Sequence, residues 1–234
     1  MRRCVLLVLV CACVARGWGA EPSGPASVTF ALVGDSTVAT HGGWGPAFLA
    51  RLTAKATGTN FARNGSSTLS YRTRGYWAPV MAAKPTYILI QFGHNDMPGK
   101  GPDRETDPAT TYRANLTRYC TEARASGAQP ILVTSLVRRN FRAGQIDDAL
   151  RPYADAARAV VQDLGVPVVD LHARSLALIT RLGEQRSAAF SPISADGRPD
   201  RTHLSPAGGT AMAQLVITDL CAALPALATC FAPE

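Results

Sequence analysis

The stretch Val28-Thr29-Phe30-Ala31-Leu32-Val33-Gly34-Asp35-Ser36-Thr37 is a continuous apolar run that stops at a glycine and passes at once into polar residues. Its lack of polar/apolar alternation and its β-branched and aromatic side chains predict a strand buried on both faces. The pattern recurs. Residues 87–92, 130–136 and 166–171 are further strand-type runs, and residues 59–63 are a weaker one. Helical periodicity lies between them. A helix is expected from Pro46 to about Thr57, and a second is announced by Asp107 and Pro108 and ended by Gly127. A third runs over residues 150–164 up to Gly165, and Ser205-Pro206 opens a last one with Met212, Leu215, Val216 and Leu220 on its inner face.

Strands alternating with helices predict an α/β fold: a three-layer α/β/α sandwich around a central parallel sheet. Right-handed crossovers place the ligand crevice outside the carboxyl ends of the strands. Function is therefore expected in the loops of residues 34–45, 64–77, 93–106 and 137–147, and from residue 172 onward.

With 234 residues, 47% of them apolar and 18% charged, the chain has a globular composition, which excludes a disordered, collagenous or multi-span membrane protein. Residues 1–20 read as a signal peptide. Arg2 and Arg3 precede an apolar run over residues 4–15 that is too short for the ~20 residues of a membrane span. Cleavage near Gly17-Trp18-Gly19-Ala20 would deliver a secreted or periplasmic protein, with residues 21–234 as a single domain; a lipoprotein cut before Cys13 is the alternative. Removing the leader takes Arg2, Arg3 and Arg16 out of the formal charge of +7 and leaves 21 basic against 17 acidic residues. That balance is too mild to suggest nucleic acid. Of the remaining cysteines, Cys221 and Cys230 are placed to close a short loop in an oxidising compartment, and Cys120 reads as a buried, inert thiol.

Four polar blocks fall in the crevice loops. Gly34-Asp35-Ser36-Thr37 offers a hydroxyl just past a buried strand, although a serine there often serves as a helix cap. Asn64-Gly65-Ser66-Ser67 offers a glycine N–H free to approach a ligand, Gly93-His94-Asn95-Asp96 an amide donor, and Asp200-Arg201-Thr202-His203 an acid and an imidazole three residues apart. Asp170-Leu171-His172 is a competing acid–imidazole pair. A metal site built from Asp35, His94, Asp96 and Asp200 lacks a recognisable ligand spacing.

Together the four blocks resemble those of the SGNH (GDSL-type) hydrolases, over about residues 28–224. The GDST form, Gly43-Trp44-Gly45 and Phe92-Gly93-His94-Asn95-Asp96 look most like the rhamnogalacturonan acetylesterase branch. The resemblance implies a flavodoxin-like fold with Ser36 as nucleophile, His203 as general base and Asp200 as its orienting acid. The implied oxyanion hole is made by the N–H groups of Ser36 and Gly65 and the side chain of Asn95. It further implies a serine esterase that removes acetyl groups from a plant cell-wall polysaccharide, above all rhamnogalacturonan, without metal or cofactor; acetylxylan or acetylated oligosaccharides, then a lipid ester or thioester, then non-catalytic sugar binding are the alternatives, and a monomer is expected.

Two features bear on that ligand. Trp44, Tyr71, Tyr76, Trp77, Phe141 and Phe190 are candidates to stack on sugar rings. Arg72, Arg74, Arg138, Arg139, Arg142, Arg198 and Arg201 crowd the same loops and suggest an anionic ligand such as galacturonate. Trp44, Arg138, Arg139 and Arg201 are the expected substrate contacts.

Overall fold

A computed structural model describes residues 27–233. The signal-peptide segment and the lipoprotein alternative at Cys13 lie outside those residues. Five parallel strands form the main sheet: β1 (Val28–Gly34), β2 (Ala56–Asn60), β3 (Tyr87–Gln91), β4 (Gln129–Val133) and, after a small antiparallel hairpin of β5 (Phe141–Arg142) and β6 (Gln145–Ile146), β7 (Val168–Val169). Their spatial order is β2-β1-β3-β4-β7.

Register explains the layers. Phe30, Leu32, Leu89, Ile131 and Val133 point to one face of the sheet, where α1 (Gly45–Ala50) and α7 (Pro206–Ala223) supply Phe48, Met212, Val216 and Leu220. The intervening residues Ala31, Val33, Ile88, Ile90 and Leu132 point to the other face. There α4 (Thr111–Ala125) and α5 (Arg151–Leu164) bring Tyr112, Leu116, Tyr119 and Val160. Because side chains alternate along a strand, one continuous apolar run fills both cores.

The helix signals act as expected at two ends. Ser205 Oγ accepts the Gly208 N–H at 3.2 Å to cap α7, and Gly165 closes α5 in the left-handed region with φ 58°. Elsewhere the boundaries move. The first helix ends at Ala50 rather than near Thr57, and β2 starts three residues earlier than expected. The strand expected over residues 166–171 is cut to two residues, because Asp170 accepts from the Ala173 N–H and starts α6 (Leu171–Ser187) where a loop was expected.

The expected loop of residues 64–77 likewise contains α2 (Thr68–Thr73) and the start of α3 (Trp77–Ala82). A reciprocal cap opens α2: Ser67 Oγ accepts the Ser70 N–H at 3.1 Å and Ser70 Oγ accepts the Ser67 N–H at 2.9 Å. Cys221 and Cys230, placed to close a short loop, are free thiols among the described residues. Cys120 is buried in the core, where burial pushes its thiol up to about 12.

Candidate active site

At the carboxyl end of β1 the chain turns sharply, with the Val38 and Ala39 N–H groups both donating to the Asp35 carbonyl, at 3.2 and 3.1 Å. The turn is braced from beneath. Thr37 donates to Asp35 Oδ1 through its N–H at 2.9 Å and its hydroxyl at 2.7 Å. The same hydroxyl accepts from Gln91 Nε2 at 2.7 Å, and Gln91 Oε1 accepts from Trp44 Nε1 at 2.9 Å. This buried relay ties the Ser36 turn to the next strand and to the core.

Ser36 is not capping a helix. Its Oγ lies 2.8 Å from His203 Nε2, and His203 Nδ1 lies 2.6 Å from Asp200 Oδ2. The other Asp200 oxygen accepts the N–H groups of Thr202, at 2.8 Å, and His203, at 3.0 Å. One carboxylate thus shapes the turn and aims the imidazole together. Burial raises the Asp200 carboxyl, but the His203 ring and the two backbone donors outweigh it and hold it below the usual carboxylate range. With Asp200 ionised, the consistent assignment puts the imidazole proton on Nδ1 and leaves Nε2 to accept from the serine hydroxyl. Gly42 gives the ring room: it sits at φ 83°, and a Cβ there would stand 3.1 Å from His203 Cβ.

Unspent donors lie in two further loops. Among the described residues, neither the Ser36 N–H nor the Gly65 N–H donates to another group. Gly65 sits at φ 73°, and the space around it is open, so its conformation rather than crowding calls for glycine. Asn95, almost fully buried, spends one amide hydrogen on the Ser66 carbonyl at 3.0 Å and keeps the second. A hydroxyl, an imidazole and a carboxylate in one hydrogen-bonded line, with unspent N–H donors in neighbouring loops, fit the requirements of acyl transfer.

Residues 32–211 match the GDSL-like Lipase/Acylhydrolase family. The chain belongs to this family. Among its relatives are the rhamnogalacturonan acetylesterase RhgT of Bacillus subtilis (strain 168), 36% identical, with 79% of this chain and 86% of the relative covered. The probable rhamnogalacturonan acetylesterase YesY of the same strain is 33% identical, with 79% and 88% covered. Among solved structures, protein YxiM of B. subtilis superposes with a TM-score of 0.73 at 24% identity; the match covers 87% of this chain and 58% of that one. Axe2, an acetylxylan esterase from Geobacillus stearothermophilus, gives 0.63 at 18% identity, covering 82% and 94%. As a GDSL-family acylhydrolase, the chain is a carboxylic ester hydrolase.

Behind the acylhydrolase site lies a buried polar layer of Asp35, His94 and Asp96, three of the residues weighed above as a metal site. His94 Nδ1 stands 3.5 Å from Asp35 Oδ2, both side chains essentially without exposure. Burial drives His94 toward its neutral form despite Asp35, while His94 and the two Thr37 donors overcome burial to keep Asp35 ionised. Asp96 departs from both. Its Oδ1 accepts from the Thr68 N–H, the Thr68 hydroxyl and the Thr106 hydroxyl, at 3.0, 2.5 and 2.9 Å, but its Oδ2 has no partner among the described residues. Burial dominates and lifts its carboxyl to about 7.

The competing imidazole is elsewhere. His172 is buried, with Nε2 2.8 Å from Asp148 Oδ1, and Asp170 is taken by Arg158 and Thr134. The competing Asp170–His172 pair therefore does not form.

Several expected substrate contacts change role. Trp44 is fully buried and cannot stack on a sugar; its indole packs edge-on against Phe48, and its N–H is spent on Gln91. Tyr71 and Trp77 are core residues too. Arg139 is 3% exposed and faces inward. Its Nε donates to Ser191 Oγ at 2.9 Å, and its Nη2 donates to the carbonyls of Asp200 and His203. It holds the acid–imidazole loop and does not reach for a ligand. Arg201 pairs with Glu184 at 2.8 Å. Arg138 bridges two site loops, donating to Thr202 Oγ1 at 2.5 Å and to the His94 carbonyl at 3.2 Å.

Proposed function

We propose that this acylhydrolase is an exported O-acetylesterase acting on rhamnogalacturonan, with residues 1–20 as its export signal and with a monomer as the working unit. The observation that carries the chemistry is the unbroken hydrogen-bonded line from Asp200 through His203 to Ser36. Ser36 Oγ attacks the acetyl carbonyl carbon while His203 Nε2 takes its proton. The carbonyl oxygen becomes an oxyanion facing the N–H groups of Ser36 and Gly65 and the free hydrogen of Asn95 Nδ2. His203 then gives its proton to the departing sugar oxygen, leaving an acetyl-serine. Water, deprotonated by the same nitrogen, attacks in turn; acetate leaves and Ser36 regains its proton. Every proton and charge in this cycle is handled by a named side chain or N–H, so the scheme calls for no metal or cofactor.

Two observations support the substrate. Both relatives named as rhamnogalacturonan acetylesterases align over 79% of the chain at 36% and 33% identity. The groove beside the nucleophile loop is lined by Ala39, Thr40, His41, Ala62, Arg63 and Asn64. Small and polar walls suit a short acyl group on a sugar better than a fatty chain. The test is acetate or fatty-acid release from acetylated rhamnogalacturonan, acetylated xylan and a long-chain fatty ester. Fastest turnover of the first is expected, and preference for the fatty ester would overturn the assignment.

A further inference from the structure

The arginines of the rim divide into two groups once their partners are known. Arg72, Arg198 and Arg201 sit on Glu122, Asp196 and Glu184 at 2.7, 2.6 and 2.8 Å, and Arg142 stands 3.7 Å from Asp147. Their charges are answered within the protein. Lys100, Arg104 and Arg138 are not answered in this way.

Arg104 Nη1 lies 4.0 Å from the point where a Cβ on Gly65 would stand, so it borders the expected oxyanion hole. Arg138 binds the His94 carbonyl, next to Asn95, and the Thr202 hydroxyl, next to His203. Lys100 belongs to the same loop as Asn95; burial first, then the charges of Arg138 and Arg104, lower its ammonium below the usual lysine range. Arg104 and Arg138 thus flank the two loops that carry Gly65 and Asn95.

Among the described residues neither Lys100 nor Arg138 forms an ion pair, although Arg138 feels the charges of Asp35 and Asp200 from a distance. Arg104 reaches only Asp103, at 3.9 Å, and Asp103 gives its other oxygen to Arg74 at 2.8 Å. Like charges gathered on a half-buried rim oppose folding, and an anion arriving from outside relieves them. Arg104 borders the Gly65 side of the nucleophile, and Arg138 the Thr202–His203 side, where the departing sugar oxygen takes its proton in the proposed reaction.

We propose that Lys100, Arg104 and Arg138 form a carboxylate subsite that receives the uronate group of the sugar carrying or adjoining the acetyl ester. The subsite rests on the rhamnogalacturonan assignment, because that polymer places a carboxylate within a ring of the scissile bond. The Arg104 guanidinium suits it, since its paired donors match the two oxygens of a carboxylate.

The probe is unacetylated oligogalacturonide used as an inhibitor of p-nitrophenyl acetate hydrolysis, beside the same oligomer with its carboxyls methyl-esterified. The wild-type protein is expected to bind the acidic oligomer about tenfold more tightly than the esterified one. In K100A/R104A that preference should vanish, and in R104K, which keeps the charge, most of it should remain. Equal inhibition by the two oligomers in the wild type, or a preference untouched in K100A/R104A, overturns the subsite. Acetate release from acetylated rhamnogalacturonan is measured in parallel. No release, with the oligomer preference intact, sinks the polymer assignment and spares the subsite; release with equal inhibition does the reverse.

Discussion

The guanidinium of Arg139 stands 3.0 Å from the main-chain oxygen of Asp200, inside the protein and behind the acid–imidazole turn. Burial lowers it to about 10, so it is still a cation at neutral pH. It also bonds Ser191 and the His203 carbonyl, so one side chain ties two carbonyls of the turn to Ser191. Replacement by Met should lower kcat by about 10- to 100-fold through misplacement of the imidazole, with a smaller change in KM. Lys cannot span the same points with one ammonium and should recover only part of the loss. The check is kcat per folded enzyme; a fall in Tm with kcat unchanged would reduce Arg139 to a packing residue.

Asn95→Ala is expected to reduce kcat by about 10²–10³ with little effect on KM, because its free hydrogen bonds an oxyanion more strongly than a ground-state carbonyl. Steady-state kinetics on a small acetyl ester separates the two. A change confined to KM would place Asn95 in substrate binding.

Asp96 makes a stability prediction whose sign follows from its raised carboxyl, about 7 against 3.8 in the unfolded chain. The folded protein holds this proton more tightly than the unfolded chain does. Its contribution is fully present below pH ~3.8 and is lost as pH rises through about 7. Asp96→Asn cannot titrate. The Tm of the variant minus that of the wild type should therefore become more positive from pH 5 to pH 8, and parallel Tm profiles would show that Asp96 stays ionised throughout.

Trp44→Phe separates a core role from a sugar-binding one. The substitution leaves Gln91 Oε1 without its buried donor and should cost about 1–3 kcal/mol, visible as a lower Tm. KM for an acetylated oligosaccharide should hardly move. A raised KM at constant Tm would return Trp44 to the substrate.

Much of this architecture was legible because the strands are buried on both faces: runs such as residues 28–33 and 87–92 carry their own signal. The polar blocks were legible for a related reason, since Ser36, Asn95 and His203 each follow a strand or precede a marked helix start. What escaped lies where local chemistry and tertiary context compete. Asp170 looked like the end of a strand but caps a helix, and Ser67 and Ser70 cap one another in a stretch that composition alone makes a loop. The arginines show the limit most plainly. Arg138 and Arg139 are neighbours in sequence, yet one bridges two site loops and the other is sealed behind the catalytic turn, because only the position of Asp200 and His203 carbonyls in space decides which of them is satisfied internally. Trp44 followed the same rule, its indole N–H having found Gln91 in the core.

The central claim is that Ser36, activated by His203, attacks the ester. The most direct measurement is the mass of peptides from protein treated with a p-nitrophenyl alkylphosphonate, which transfers its phosphonyl group to an activated serine oxygen and releases nitrophenolate. A single adduct on the peptide containing Ser36, formed far more slowly in His203→Ala, is the predicted result. An adduct on another residue, or labelling of Ser36 at the same rate without His203, would contradict it.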